Sequence, residues 1–294
     1  MFGLLNIYKP PGPTSHDVVV GVRRALPRKT KIGHAGTLDP LAEGVLVLCI
    51  GPATRLAEHI QNGRKRYLTD VTLGARSTTD DLEGELTHAR DVTPPGIRQV
   101  RESLAPMRGD IMQAPPAHSA VHVEGRRAYD LARRGQLPDL QARPVTVHSL
   151  DLVDYDYPRV TLRVVCSSGT YIRSLARDLG EALGTGGYCS RIVREGVGAF
   201  SAESAVRLGE LDVHEHLLPP IAALADLPQA VVSQRGEEKL AMGQKVAAAN
   251  TRLTGDPPNG AEMAVVSEDG RLLALATYDA SRLALCPRKV FVKK

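Results

Sequence analysis

The chain has 294 residues and a formal net charge of +4 at neutral pH, with 43% hydrophobic and 24% charged residues. This balance is ordinary for a globular protein, and the length suits one large domain with a small one, or two medium domains. The longest apolar run, Val45 to Ile50, is too short to cross a bilayer. The first residues carry neither a basic segment nor a long apolar core, so we expect no signal peptide, no membrane partner and a cytoplasmic location.

Basic residues are clustered along the sequence. Residues 23–31 contain five basic and no acidic side chains. A charge run usually forms a solvated face, but several clusters around one Gly-rich loop favour an anionic polymer as the partner. The other clusters are Arg64-Lys65-Arg66, Arg126-Arg127 and Arg133-Arg134.

Cysteine and histidine spacing gives no support to a metal site. The four cysteines are scattered without a paired spacing, which predicts reduced thiols. The close histidine pairs, His118/His122 and His214/His216, have no neighbouring cysteine. No nucleotide-binding motif is complete. We therefore expect neither a metal nor a cofactor.

Four elements stand out in chain order. Thr14 and Asp17 have the spacing of a helix start, with an apolar face following. Residues 67–73 alternate like a strand with two different faces. A second alternating strand, 160–166, leads into a helix that begins near Thr170 and ends near Gly184. Helices and strands mix without a regular βαβ rhythm, which predicts an α+β fold with a mixed, largely antiparallel sheet.

Two segments differ from this pattern. Residues 113–143 are polar and basic without a clean period, which predicts a long surface insertion that acts as a lid or a binding arm. Runs 261–267 and 271–278 are strand-like and joined across Gly270, as in a hairpin. We place a domain boundary near residue 225, with a larger domain over 1–225 and a small β-rich domain over 226–294. We expect a chain ending near residue 225 to keep its own core.

The most informative segment is Gly33 to Arg55. Glycines permit close approach to a ligand, and Pro40 fixes the backbone after Asp39. Asp39 is thus an acidic side chain on a rigid loop directly before a buried strand. A structural Asx-turn explains the same residues equally well, and the residues alone leave both interpretations open.

The sequence GHAGTLDPLAEGVLVLCIGPATR resembles the signature of the TruB family of RNA pseudouridine synthases. Further resemblances follow in the expected order: Gly3 with Lys9-Pro10, Lys65-Arg66-Tyr67, the segment from Gln113, and Gly169-Thr170-Tyr171-Ile172-Arg173. Together they cover residues 3 to about 200 in at least four motifs. The resemblance implies a catalytic domain of pseudouridine-synthase type, and residues 226–294 resemble a PUA-like RNA-binding module.

The resemblance also implies roles for individual residues. Asp39 is the expected nucleophile, Arg173 the cation paired with it, and Tyr67 the aromatic residue against the target base, implicated in proton transfer at C5. A cation beside Asp39 would hold the carboxylate ionised, as a nucleophile requires. The expected substrate-binding residues are His34, which takes the space vacated by the base, Tyr171, Lys9, Lys65 and Arg127. His122 stands where many relatives carry lysine, so we expect one phosphate contact to be weaker or pH-dependent. Ser168 also replaces a frequent lysine.

The implied function is conversion of a uridine in the T arm of tRNA, conventionally U55, to pseudouridine by base flipping, in a protein that we expect to be monomeric. One alternative is a guide-dependent rRNA synthase of archaeal or eukaryotic type, against which the complete arm at 113–143 argues. The other is a non-catalytic RNA-binding or RNA-folding protein in which Asp39 is structural. The sequence leaves open whether Asp39 attacks C6 of the base or C1′ of the sugar.

Overall fold

A computed structural model describes residues 1–117, 122–123, 126–127 and 140–292. Within them, the first part of the chain contains helices α1 to α5 and strands β1 to β14. The helices are α1 (Ser15–Arg23), α2 (Ala57–Asn62), α3 (Ile97–Leu104), α4 (Ile172–Ala182) and α5 (Val213–His216). The strands are β1 (Gly3–Lys9), β2 (Ile32–His34), β3 (Glu43–Ile50), β4 (Lys65–Leu73), β5 (Ala75–Ser77), β6 (Leu86–His88), β7 (Gly109–Gln113), β8 (His122–Val123), β9 (Arg126–Arg127), β10 (Arg143–Asp156), β11 (Arg159–Cys166), β12 (Gly187–Val197), β13 (Phe200–Ser201) and β14 (Val206–Arg207).

The last part of the described chain adds one helix and six strands. These are α6 (Gln234–Ala241), β15 (Gln229–Val232), β16 (Val246–Ala247), β17 (Thr251–Leu253), β18 (Glu262–Ser267), β19 (Leu272–Asp279) and β20 (Ala284–Val290). Short 3-10 helices lie at Gly51–Leu56, Ala105–Met107, Leu208–Glu210, Pro220–Leu224 and Ala248–Asn250. No helix of the described residues is long and apolar enough to span a membrane.

The larger sheet has the strand order β14-β1-β3-β12-β4-β11-β10-β7, with β2 paired to β3 and β13 to β12. Among the described strands of this sheet, the β1/β14 and β3/β12 pairs are parallel and the others antiparallel. The predicted α+β fold with a largely antiparallel sheet is thus confirmed. In central β4 the side chains alternate between buried and half-buried, as its sequence pattern predicts.

The local chemistry of α1 follows the predicted helix start. Thr14 Oγ1 accepts a hydrogen bond from the Asp17 backbone N–H at 3.1 Å, and the Asp17 carboxylate accepts from the Thr14 backbone N–H at 2.9 Å. These reciprocal bonds satisfy two backbone donors that the first turn leaves free. Val18, Val19 and Val22 are buried on the sheet side of the helix.

Helix α4 packs unusually close to β12. A Cβ added to Gly180 would lie 2.1 Å from the backbone N of Gly187, so only glycine fits at this contact. The helix starts at Ile172 instead of Thr170, and its buried face contains the predicted Ile172, Leu175 and Leu179. This packing holds the C-terminal half of α4 against the sheet, and the candidate site lies at the other end of the helix.

The smaller sheet has the order β16-β20-β19-β18-β15-β17, and within it β18 and β19 form the predicted hairpin. Gly270, in the connection, has φ +82°. The strands of this sheet run from Gln229 to Val290. The boundary near residue 225 stays a prediction.

The two sheets share a buried apolar cluster. It contains Leu4, Val45 and Val47 from the larger sheet together with Leu272 and Leu275 from the smaller one. Phe291, which follows β20, stacks on Phe2 with ring centroids 5.3 Å apart. A chain ending near residue 225 would lose one side of this cluster, so it does not keep its whole core as the sequence led us to expect.

We predict that Leu275→Ala weakens both sheets, because Leu275 belongs to the shared cluster. The cavity left by such a substitution costs about 2–5 kcal/mol. Hydrogen exchange of the β1 and β3 amides should therefore become faster. The matched control is Leu273→Ala, which is equally buried but lies in the smaller sheet's own core. Equal effects of the two variants on β1 and β3 would contradict the shared-core account.

Candidate active site

A cavity of about 670 Å³ opens between the loop that carries Asp39, the strands β4 and β12, and the N-terminus of α4. Of the predicted residues, it brings together Asp39, Lys65, Tyr67, Tyr171 and Arg173. The remaining lining residues are Gly36, Thr37, Leu38, Ala42, Gln61, Asn62, Ser168, Gly169, Thr170, Ile172, Ile192 and Arg194.

A larger cavity of about 830 Å³ lies beside α6 and the β18–β19 turn. Its walls hold four carboxylates and a single arginine, and none of the predicted site residues. A negative lining is unsuited to an anionic polymer. The smaller cavity around Asp39 is therefore the candidate active site.

Asp39 forms an ion pair with Arg173 at the floor of the cavity. Its Oδ2 lies 3.0 Å from Arg173 Nε, and its side chain is 37% exposed, whereas that of Arg173 is 6% exposed. The guanidinium is thus nearly removed from water while part of the carboxylate faces the cavity. This arrangement leaves Asp39 accessible to a bound molecule and fixes its orientation from behind.

Arg173 also forms an ion pair with a second carboxylate, that of Asp81, which sequence analysis did not identify. Arg173 Nη1 lies 3.0 Å from Asp81 Oδ2 and donates to the Thr79 carbonyl at 3.1 Å. Asp81 is itself buried and accepts from the Glu83 backbone N–H at 2.9 Å. A buried cation is stable only when paired and hydrogen-bonded. Asp81 therefore holds Arg173 in place through contacts that do not involve Asp39.

Two buried polar side chains, Lys9 and Ser15, fix the loop that carries Asp39. Lys9 Nζ donates to the carbonyls of Pro40 at 3.1 Å and Ala42 at 2.6 Å. Ser15 Oγ donates to the Leu38 carbonyl at 3.0 Å and accepts from the Leu38 N–H at 2.8 Å. The loop is therefore held on both sides of Asp39 by bonds to its backbone.

Arg194, on β12, holds the two ends of the same loop. Its guanidinium donates to the carbonyls of Gly36, Thr37 and Val45 at 2.8–3.1 Å. Gly44 has φ +106°, and a Cβ there would lie 2.3 Å from the Arg194 carbonyl. The glycine thus allows the loop to enter β3 against the backbone of β12.

Tyr67 stands on β4 with its ring in the cavity wall. Burial raises the pKa of the Tyr67 hydroxyl, an effect that the nearby Arg194 guanidinium opposes. The hydroxyl is thus a neutral donor and acceptor at physiological pH. Burial, with a contribution from Arg194, also lowers the pKa of Lys65 to about 8, and its ammonium donates to the Gln61 carbonyl.

The Gln113 side chain holds the backbone of Tyr171 through two hydrogen bonds. The Gln113 amide donates to the Tyr171 carbonyl at 3.1 Å and accepts from the Tyr171 N–H at 2.7 Å. This pair of bonds joins β7 to the segment that enters α4. It fixes both Tyr171 and, two residues later, Arg173.

The other predicted residues lie elsewhere. Lys9 is fully buried and positions the Asp39 loop, without a surface in the cavity. His34 lies on β2, where burial lowers its pKa, and it does not line the cavity. Arg127 is paired with His122 between β9 and β8, and its side chain lies outside what the structure describes. Among the described residues no group of three or more His, Cys, Asp or Glu side chains could hold a metal ion.

Sequence reasoning missed Asp81 and Arg194. Asp81 follows another acid, Asp80, and nothing in the spacing distinguishes the buried one from its neighbour. Arg194 sits among charged residues of a strand, a pattern typical of a solvated face. One sequence signal could have identified Arg194: its charged side chain falls at a position of a central strand that faces the protein core.

Comparison with known proteins gives a consistent result. A family model described as TruB family pseudouridylate synthase (N terminal domain) matches residues 23–172. The tRNA pseudouridine synthase B of Symbiobacterium thermophilum is 45% identical over 245 residues, covering 82% of each chain. The protein of the same name from a Synechococcus strain is 41% identical over 302 residues, covering 98% of this chain and 97% of its own.

A solved structure with the same fold is a Cbf5-Nop10-Gar1 complex. It is 25% identical with a TM-score of 0.77, and the match covers 99% of this chain and 85% of that chain. A H/ACA RNP bound to a substrate RNA containing 2′-deoxyuridine has the same TM-score at 23% identity, which shows the fold alone. With a family match over half its length and curated relatives near 40% identity over almost all of it, this chain belongs to the TruB family of pseudouridylate synthases.

Proposed function

We propose that this protein isomerises a uridine of tRNA to pseudouridine. The observation that carries the proposal is the half-exposed Asp39 carboxylate, paired with buried Arg173 at the floor of the cavity. Family membership supports it, because the relatives named tRNA pseudouridine synthase B match almost the whole chain. The residues that act on the substrate, discussed next, are part of this proposal.

The reaction requires a nucleophile and an enclosed space, and no redox partner. The N1–C1′ bond breaks, the uracil turns, and a C5–C1′ bond forms, while the proton leaves C5 and N1 gains one. Atoms and electrons balance without an oxidant or a reductant. Asp39 attacks the nucleotide, at C6 or at C1′, and is released when the new bond is complete.

The surrounding residues serve this step through their positions. Arg173, held by Asp81, keeps the Asp39 carboxylate turned toward the cavity. The neutral Tyr67 lines the same cavity and packs against the uracil. A cavity of about 670 Å³ is in the range of about 300–1,000 Å³ typical of ligand sites. The target base must leave the RNA stack to enter it.

The finer assignments belong to the same proposal. The T arm, with U55 as the target, follows from the resemblance of the Asp39 loop and of segment 113–143 to family motifs. A tRNA substrate favours the cytoplasm as the place of action. We also propose that 226–294 is a PUA-like domain that contacts the RNA. The monomeric state stays a prediction.

The two alternatives have less support. Against a guide-dependent rRNA synthase stand the relatives named tRNA pseudouridine synthase B, one of which is 45% identical to this chain. A non-catalytic RNA-binding protein has no need for a carboxylate whose buried cation is held by a second carboxylate. The geometry favours an enzyme.

Asp39→Asn should abolish pseudouridine formation and leave tRNA affinity within a few-fold, because it removes the nucleophile and hardly changes volume. Carbodiimide labelling of T-arm RNA measures the product, and filter binding measures affinity. Asp226→Asn, an exposed carboxylate away from the cavity, is the control. Turnover of Asp39→Asn near the wild-type rate would show that Asp39 is not the nucleophile.

Asp81→Asn should lower the single-turnover rate at saturating RNA at least tenfold, or about 1.4 kcal/mol, because Arg173 loses the charge that fixes it. RNA affinity should change little, since Asp81 is buried. Asp80→Asn is the matched control, because the ion pair of its carboxylate is with Arg177, at 2.8 Å. Equal rates for the two variants would contradict a positioning role for Asp81.

The basic insertion should bind RNA phosphates. Log affinity for tRNA should then fall linearly with log salt concentration, and replacing both Arg126 and Arg127 with alanine should reduce that slope by about one to two. Replacement of Arg98 and Arg101, two exposed arginines on α3, is the control. An unchanged slope in the variant without Arg126 and Arg127 would show that these arginines belong to a solvated face and do not bind phosphates.

A further inference from the structure

A second, smaller cleft of about 140 Å³ adjoins the active-site cavity. Ser168, Gly169 and Tyr171 line both of them. The two spaces therefore share a wall, formed by the segment between β11 and α4. On the far side, the cleft is closed by the start of β10, with Arg143 at its edge.

Strand register directs Arg143 toward this shared wall. Arg143 is the first residue of β10 and lies directly opposite Gln113 on antiparallel β7. Side chains of directly opposed residues project on the same face of a sheet. The Gln113 side chain bonds the Tyr171 backbone, so this face is the one that meets the shared wall.

Arg143 also differs from the other cations of the two cavities. Lys65 donates to the Gln61 carbonyl, Arg173 is paired with two carboxylates, and Arg194 donates to three carbonyls. Arg143 is exposed, and no carboxylate in the described part of the chain forms an ion pair with it. Among the residues that the structure describes, no acidic side chain lines the cleft. Its guanidinium is thus available to an anion from outside.

We propose that Arg143 binds a backbone phosphate of the RNA directly next to the target uridine. The inference rests on the proposed function, because a nucleotide that enters the active-site cavity carries its flanking phosphates to the rim. A guanidinium can hold a phosphate through two parallel hydrogen bonds, which fixes orientation as well as distance. Ser168, in the shared wall, is neutral and adds no competing cation. Arg143 is therefore a positioning residue for the target nucleotide.

The test is a double-mutant cycle measured by binding, with turnover removed by Asp39→Asn. T-arm stem-loop RNAs carry a neutral methylphosphonate at one linkage at a time near the target uridine. We expect Arg143→Ala to weaken binding of the unmodified RNA roughly tenfold. A methylphosphonate at one linkage flanking the target should weaken binding by a similar factor when the protein has Arg143. The same modification should have almost no effect once Arg143 is alanine.

Two further variants keep the result interpretable. Arg143→Lys keeps the charge but loses the paired donors, so its affinity should lie between those of Arg143 and Arg143→Ala. Arg98→Ala, at an exposed arginine on α3, keeps Arg143, so each modified linkage should weaken its binding by the same factor as in the protein without this change. Full additivity of Arg143→Ala with every modified linkage, or unchanged affinity of Arg143→Ala, would overturn the proposal.

The outcome is separable from that of the proposed function. Pseudouridine formation by the wild-type chain on unmodified T-arm RNA tests the function and does not depend on the binding cycle. A wild-type chain that isomerises uridine while the cycle is additive would reject the phosphate site alone. A chain that forms no pseudouridine would reject the function.

Discussion

The structure depends on a buried guanidinium held between two carboxylates. Arg173 is nearly inaccessible to water, and it meets Asp81 from within the protein and Asp39 from the cavity side. A buried charge destabilises a fold unless its partners are close and well oriented. The chain meets this requirement with Asp81, whose own oxygens are also hydrogen-bonded. The consequence is a carboxylate at position 39 whose direction is set before any substrate arrives.

The same principle extends to the loop around Asp39. Lys9 and Arg194 are buried cations that donate to backbone carbonyls at both ends of the loop. Such bonds leave the loop little freedom and place its one carboxylate with accuracy. Catalysis benefits from this preorganisation, because a group that is already in position does not pay for reorganisation during the reaction. The strain-tolerant Gly44, pressed against β12, makes the geometry possible.

Much of the fold could be predicted because it follows from local pattern. The capping residues Thr14 and Asp17, the alternation in β4 and the hairpin at Gly270 each determine an element by short-range chemistry. The apolar cluster shared by the two sheets could not be predicted in this way. It joins Leu4 to Leu275, which are far apart in the sequence. The sequence pattern indicates that a face is buried but not which other face packs against it.

The candidate site likewise contains residues that local motifs predict and residues that only long-range contacts reveal. Asp39, Tyr67 and Arg173 were predicted from motifs, and the structure places all three around one cavity. Asp81 contacts Arg173 on α4, and Arg194 contacts the Asp39 loop and β3. These partners are far away in the sequence, and no sequence spacing encodes the contacts. Lys9 illustrates the opposite case. Its motif indicated a residue near the site, but only the structure shows that its ammonium holds the loop from inside the core.

The most direct test of the account is a crystal structure of Asp39→Asn bound to a T-arm stem-loop. The variant keeps the volume of the site and blocks turnover, so the substrate complex persists. We predict that the target uracil has left the stack and lies against Tyr67, with C6 or C1′ within about 3–3.5 Å of the residue 39 side chain. The distance would also decide which carbon is attacked. A uridine that stays stacked in the RNA, or that binds outside this cavity, would contradict the account.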